Sequence, residues 1–335
     1  MGWKGRLYRI KVFFSLYDIW IMNWKNHPWG AGNIDPLLQR VEQKKNRLAE
    51  LRPIPAIAMA KLRESLMMEW TYHSNAIEGN TITLQETRVI LSDGMTVGGK
   101  TLREHFETLN HHEAIARLER MVNSRYQLSA ADILTIHALV LQRIEKDYAG
   151  RYRNSGVRIT GANFTPPNAR KVDDLMEELI AWVNEKNEIP LIIKTVIFHH
   201  RMIWIHPFFD GNGRTARLMF NLLLMNAGFP PAIILQQDRK KYYDSLNRAN
   251  LGNYEKLTLL ILQALERSLD IYLSNLESTC DGYKPISSIL QDIEVQYGQE
   301  YVSLLVRRGK IPGHKEGRNW LTTSEAVMSY AKRND

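Results

Sequence analysis

The stretch 190–205, "PLIIKTVIFHHRMIWI", constrains the fold more than any other part of the chain. A run this apolar, with few polar positions to face water, reads as a helix surrounded by protein. It must stop at His206, because Pro207 disfavours helical geometry in the residue before it. Phe208 and Phe209 then supply anchors for a loop. The sequence Gly211-Asn212-Gly213 lets the backbone turn tightly and approach a ligand closely. From Arg214 a second apolar period begins, carried by Leu218, Met219, Leu222 and Leu223. A buried helix, a short loop and a second helix starting at the glycines are therefore expected.

Amphipathic helical periods also cover 36–51, 56–72, 103–122, 129–145, 171–186, 238–249 and 255–277. Gly79 and Asn80 stop one of them, and Thr83 is placed to cap the short helix "LQETRVIL" that follows. The segment 150–169, "GRYRNSGVRITGANFTPPNA", reads differently. Its alternating "VRI" lies between turn residues, which predicts a β-hairpin resting on a helical surface. After residue 280 the pattern changes to short elements punctuated by Gly and Pro. The expected fold is mainly α with one β-hairpin, plus a small α+β segment. Three parts are expected: a basic N-terminal region over 1–52, a helical core over 53–278, and a small domain over 284–335, with the boundary at about 278–284.

The 335 residues, 44% of them hydrophobic, suffice for one large or two modest cores. Cys280 is the only cysteine, which excludes an internal disulfide and a multi-cysteine zinc module and points to a reducing compartment. No apolar run approaches the ~20 residues of a membrane span. The expected location is cytoplasmic, with no membrane partner. Lys4, Arg6, Arg9 and Lys11 before "VFFSLYDIWIM" loosely imitate a signal peptide, but Asp18 interrupts the run and no small-residue cleavage site follows. A start-site artefact over 1–21, with Met22 as the true first residue, is the expectation. The net charge of +8 is concentrated at the two ends of the chain, which suggests peripheral contacts with something acidic rather than a basic active-site trench.

The loop at 206–217, "HPFFDGNGRTAR", gathers groups suited to polyphosphate chemistry. A helix N-terminus presents unpaired N–H groups and partial positive charge to anions. Arg214 and Arg217 share a helix face and can grip successive phosphates. Asp210 offers a hard oxygen ligand to Mg²⁺. His206, as a neutral imidazole, can take a proton from an attacking hydroxyl.

The uninterrupted order His-Pro-Phe-x-Asp-Gly-Asn-Gly-Arg-x-x-Arg resembles the Fic motif at every fixed position. Members of that family transfer AMP from ATP to a hydroxyl side chain of a target protein. The resemblance implies His206 as general base and Asp210 as the Mg²⁺ ligand. It implies a phosphate cradle of Gly211, Asn212 and Gly213, with Arg214 and Arg217 on the β and γ phosphates. The cofactor set is then ATP as co-substrate with Mg²⁺, and the partner is a protein bearing a Tyr, Thr or Ser hydroxyl.

Three further stretches resemble parts of the same family. The hairpin at 150–169 is similar to its flap, whose edge (Val157, Arg158, Ile159, Thr160) would hold an extended target segment by strand addition. Tyr243 and Asn250, two helical turns apart, would line the adenine pocket, with Tyr242 as the alternative to Tyr243. Ser74-x-x-x-Glu78-Gly79 fits the family's inhibitory motif. On that resemblance Glu78 pairs bidentately with Arg217 and takes it from the γ-phosphate. Some relatives run the reaction backwards, and others use different nucleotides or phosphate donors.

The histidines of "NHHEA" (110–114) and "FHHRMIWIH" (198–206) lack the spacing of a zinc site, so a zinc hydrolase is the weaker enzyme reading. The segment 298–333 resembles excisionase-like winged helix-turn-helix domains. In that reading Arg307, Arg308 and Lys310 touch phosphates or base edges, with Lys315 and Arg318 on the wing. The non-enzymatic alternative is a DNA-binding regulator with a sensory Fic domain. DNA contact by this segment and assembly as a homodimer stay open at this level.

Overall fold

The computed structural model describes residues 34–51, 56–123, 125–276 and 282–334. The readings made for residues 1–33 and Cys280 lie outside the described residues. Helix α1 (Asp35–Glu50) is followed by α2 (Ala56–Ile77), α3 (Leu84–Asp93), α4 (Leu102–Met121) and α5 (Ala130–Leu141). After a long loop come α6 (Val172–Asn184), α7 (Leu191–Ile205), α8 (Asn212–Asn226), α9 (Arg239–Ala249) and α10 (Glu255–Leu276). The chain is mainly α, as its periodicity predicts.

Helix α7 is the centre of the core. All of Ile192–Met202, with Trp204 and Ile205, is buried, because α6, α8 and α10 pack around it. Helix α8 is buried almost as completely and also meets α2, α4 and α5. Starts of three helices are set by reciprocal caps: Thr83 with Glu86, Thr101 with Glu104, and Ser129 with Asp132. In each, the hydroxyl accepts from the backbone N–H three residues on, and the acidic side chain reaches back. The period over 56–72 continues to Ile77, so α2 delivers Ser74 and ends one residue before Glu78.

The expected hairpin at 150–169 is not a strand pair. The segment bends at Asn154–Ser155, turns at Thr160–Gly161 and returns without a ladder, ending in a 3₁₀ turn at Ala169–Lys171. Pro166 and Pro167 carry no N–H for a cross-strand bond. The loop is held instead by side chains, as described below.

The C-terminal segment has its own apolar cluster, built from Ile286, Ile289, Val302, Leu305, Val306 and Val327. It comprises β1 (Lys284–Pro285), α11 (Ile286–Asp292), α12 (Gln299–Arg307), β2 (His314–Glu316), β3 (Asn319–Thr322) and α13 (Ser324–Asn334). The three strands pair antiparallel in the order β1-β3-β2, with Lys315 opposite Trp320. Its β2–β3 hairpin lies against the core rather than projecting from it. Lys315 Nζ is 2.8 Å from Asp238, and Gln237 donates to the Gly317 carbonyl at 2.7 Å. Helix α1 packs on α10 and contributes Leu37, Val41 and Leu48 to the main core.

Candidate active site

The loop between α7 and α8 is held from three sides. Its first residue, His206, adopts a left-handed conformation (φ 51°), the only positive φ among the described non-glycine residues. Arg153, from the base of the 150–169 loop, donates from Nε to the His206 carbonyl at 2.8 Å. Its backbone N–H donates to the Pro207 carbonyl at 2.8 Å. His137 of α5 stacks on Phe208 with ring centroids 3.6 Å apart and bonds through Nε2 to the Asp210 carbonyl at 3.0 Å. The His137 Nδ1 accepts from Gly150 N–H, so Nε2 carries the proton. Gly211 is left-handed (φ 73°), and a Cβ there would press on His137 and Val140. Sequence reasoning missed Arg153 and His137. Both reach the loop from more than 50 residues away, with no local pattern to mark them.

Asn212 closes the loop internally. Its Oδ1 accepts from the Phe208 N–H at 2.9 Å and its Nδ2 donates to the Phe208 carbonyl at 2.8 Å. Both polar atoms of the side chain expected at the phosphates are thus bonded within the loop, although Asn212 still lines the smaller cavity. Its bonds shape the turn that leads into α8, whose first backbone N–H groups have no partner within the helix.

Asp210 is 40% exposed at the loop's outer edge. Arg103 of α4 approaches it at 2.6 Å and Arg214 at 3.4 Å. Burial works to raise this carboxyl, but Arg214, the Gly211 N–H and Arg103 together hold it below the usual carboxylate range. Arg214, buried, also faces Glu107 at 3.2 Å. Arg103 and Glu107 are further members of the site that no local sequence signal marks.

Arg217 is 3% exposed and points toward the end of α2. Its Nη2 lies 2.8 Å from Glu78 Oε1 and 2.7 Å from the Ser74 carbonyl, and its Nε donates to Ser74 Oγ at 3.1 Å. The expected bidentate pair is thus a single contact. The other Glu78 oxygen lies 3.5 Å from the Tyr243 hydroxyl, because Ser74 takes the rest of the guanidinium's inner edge. Burial opposes the Arg217 charge, yet facing Glu78 raises its pKa overall. Gly79 (φ 101°) ends the helix behind Glu78.

Two adjoining cavities open over these residues, of about 420 and 340 Å³. The larger is walled by Tyr243, Leu246, Asn247, Asn250 and Phe164; the smaller by Asp210, Gly211, Asn212, Arg214 and Arg158. Glu78, His206 and Gly213 line both, as do Ile159 and Thr160 of the loop. Val157 lines neither. Tyr243 and Tyr242 both line the larger cavity, Tyr243 half-buried with Arg239 over its ring and Tyr242 buried with its hydroxyl bonded to His199 at 2.9 Å. Asn250 is occupied by His200 and by Asn163, each at 2.9 Å. The neighbouring histidines are thus committed to core hydrogen bonds. Among the described residues no group of three or more His, Cys, Asp or Glu can hold a metal ion.

His206 faces this space in its neutral form. Burial, with a weaker contribution from Arg153, holds its imidazole down to about 4, while Glu78 and Asp210 pull the other way. The arrangement offers one neutral base, two buried guanidinium groups, a helix N-terminus and an apolar slot for a planar group.

Residues 127–224 match the model of the Fic/DOC family. The protein adenylyltransferase Fic of Nematostella vectensis is 36% identical over 244 residues, covering 71% of this chain and 56% of that protein. The one from Aedes aegypti is 37% identical over 238 residues, 70% of this chain and 47% of that one. This chain therefore spans about half the length of these relatives. The solved structure of residues 134–508 of Fic-1 from Caenorhabditis elegans superposes with a TM-score of 0.66 at 31% identity, covering 73% of each chain. A Fic domain protein from Bacteroides thetaiotaomicron, 23% identical, shares the fold at a TM-score of 0.66 over 72% of this chain and 97% of that one. The chain belongs to the Fic/DOC family.

Proposed function

We propose that this chain transfers AMP from ATP to a hydroxyl side chain of a target protein and that Glu78 holds it in check. The observation carrying the reading is Glu78 itself. It lines both a largely apolar cavity sized for a base and the adjoining cavity over the start of α8, and it is paired with Arg217, which lines the former. Two of the relatives matched above carry the name protein adenylyltransferase, which supports the same reaction.

In this reading adenine lies between Tyr243 and Phe164, and the triphosphate runs over the N-terminus of α8. The target's hydroxyl oxygen bonds to the α-phosphorus while the bond to the β-phosphate bridging oxygen breaks. The hydroxyl proton passes to His206, and pyrophosphate leaves against Arg214 and Arg217. The loop bearing Ile159 and Thr160 lies beside His206 and would hold the target chain there. Asp210, a partly exposed carboxylate lining the smaller cavity, would hold a Mg²⁺ there. Bound there, the ion would neutralise phosphate charge, with Arg103 yielding its place on the carboxylate.

The position of Glu78 also fits the reverse reaction, in which its carboxylate orients a water to remove AMP. A DNA role retains the exposed Arg307, Arg308 and Lys310, but Lys315 and the hairpin tip are engaged by the core. The test is incubation of the Glu78→Gly protein with ATP labelled at the α-phosphate, beside UTP, GTP and CTP. Label should appear on protein from ATP, and His206→Ala in that background should abolish it. No label from any nucleotide overturns the reading; label from the γ-phosphate alone makes the protein a kinase.

A further inference from the structure

We infer that Arg153 is a positioning residue that ties the base-bearing loop to both ends of the 155–167 loop, so that base and target-holding segment are set as one unit. The inference rests on the reading of His206 as the base and of that loop as the target holder.

Arg153 is 2% exposed, and among the described residues no carboxylate pairs with it. A buried charge survives only where dipoles replace its water. Here they come from four carbonyls. Nε donates to His206 at 2.8 Å and Nη1 to Ser155 at 2.9 Å. Nη2 donates to Pro167 at 2.6 Å and Ile205 at 3.3 Å. Two of these acceptors lie at the C-terminus of α7, the carbonyl of its last residue Ile205 and that of the capping His206, where the helix presents its negative end. The other two are the ends of the loop whose middle, Ile159–Thr160, borders both cavities.

This geometry explains two otherwise unconnected features. The left-handed His206 is strained for a residue with a Cβ and persists only where its surroundings over-determine it. The Arg153 side chain on the His206 carbonyl and its own N–H on the Pro207 carbonyl fix the peptide on either side. The 155–167 loop, lacking a ladder, needs another means of holding its ends. A planar guanidinium meets both demands at once, because its donors diverge in a fixed fork. Lysine retains the charge but not the fork.

The experiment compares Arg153→Lys with its parent in the Glu78→Gly background. AMP transfer in the parent establishes the reaction; its absence would strike the functional reading and not this inference. Given transfer, Arg153→Lys should lower kcat roughly 10- to 100-fold, the scale of a misplaced base. KM for the target should rise, while KM for ATP, held by α8 and α9, should not change. An unchanged kcat, or a loss spread equally over KM for ATP, overturns the proposal.

Hydrogen exchange supplies a second measurement that needs no activity. Amides of 155–167 and 206–211 should both exchange faster in Arg153→Lys while those of α9 stay protected; loosening of one segment alone overturns the coupling. If Arg153→Lys is insoluble, the unsubstituted chain carries the test through a urea series. The two segments must then share one opening free energy, and unequal values overturn the coupling.

Discussion

Glu78 occupies the space that a side chain on Gly213 would fill: a Cβ at that position would collide with Glu78 Oε1 and crowd Arg217 Nη1. The glycine is not needed for its backbone, which is helical there. It is needed for room, because the Glu78 carboxylate rests where its side chain would be. Gly213→Ala should gain about 0.5–1 kcal/mol of helix propensity and lose about 1–3 kcal/mol as the Glu78–Arg217 contact breaks. The single variant should therefore be less stable than the parent, whereas in a Glu78→Gly background the same change should be neutral or stabilising. Urea midpoints of the four proteins form the test. Additive effects would mean that Glu78 does not rest against Gly213.

On the proposed function, the same contact should set how the protein responds to nucleotide. Removing Glu78 leaves Arg217 buried with Ser74 as its partner, so Glu78→Gly should melt lower than the parent without ligand. With Mg-ATP the order of response should invert. A ligand at 100 times its Kd adds about 2.7 kcal/mol, and the variant binds without displacing a carboxylate. The parent must first break the ion pair, so its ATP-dependent rise in Tm should be smaller at every concentration. Scanning fluorimetry over an ATP series reads this, and equal shifts would remove Glu78 from competition with ATP.

Acid should act on both activity and stability through buried imidazoles. His206 is held to about 4 chiefly by burial, so a base at this position stays neutral well below the usual imidazole range. In the Glu78→Gly protein, kcat/KM should stay level from pH 7.5 to about 5 and fall below that. A fall centred near 6.5 would place the base elsewhere. His73, His199 and His200 are lowered to about 3, and His137 to about 4, again with burial as the main cause. Their folded values lie below the unfolded one of about 6.5, so the unfolded chain binds more protons. Stability is therefore complete above that value and is lost as pH falls toward the folded values. Each such imidazole contributes up to about 1.4 kcal/mol per pH unit in that window. Urea midpoints should drop steeply between pH 7 and 5, and a flat profile would contradict this burial.

Much of this was legible from contiguous signals. The apolar run of α7, the proline that ends it and the glycines that open α8 lie within one stretch, so local rules suffice for both helices and the loop. The Thr83 cap was equally local. What escaped was long-range. Arg103 meets Asp210 across 107 positions and Arg153 meets His206 across 53, and neither residue differs in its sequence context from a solvated arginine. The alternation of "VRI" predicts strands because it carries the right period, but a ladder needs a partner, and Pro166 and Pro167 remove two donors from the returning arm. The amides of Asn212 and Asn250 were assigned to ligand, while the structure directs them to Phe208 and to His200 and Asn163. Residue type alone does not say which way an amide faces.

The junction between core and C-terminal segment depends on a buried ionic cluster, which makes its energetics testable by charge matching. Glu266 of α10, 1% exposed, receives Arg40 Nε at 2.6 Å and Lys44 Nζ at 2.8 Å from α1. Lys44 also meets Asp270 at 2.6 Å, and Asp270 accepts His314 of β2 at 3.1 Å. Arg40 Nη1 reaches the Gly309 carbonyl at 3.0 Å, so α1, α10 and the C-terminal segment share one network. Burial opposes the charge of Lys44, but Glu266 and Asp270 raise its pKa overall. Glu266→Gln leaves Arg40 without a carboxylate in a site too dry for an unpaired cation, and should cost about 3–5 kcal/mol. Replacing both partners, as in Arg40→Met with Glu266→Leu, removes one charge of each sign and leaves Lys44 matched to Asp270. That double variant should recover most of the loss, since a buried pair exchanged for apolar groups is often close to neutral. Denaturant unfolding of the single and double variants decides the matter: a double variant as unstable as Glu266→Gln would show that shape, not charge pairing, holds the junction.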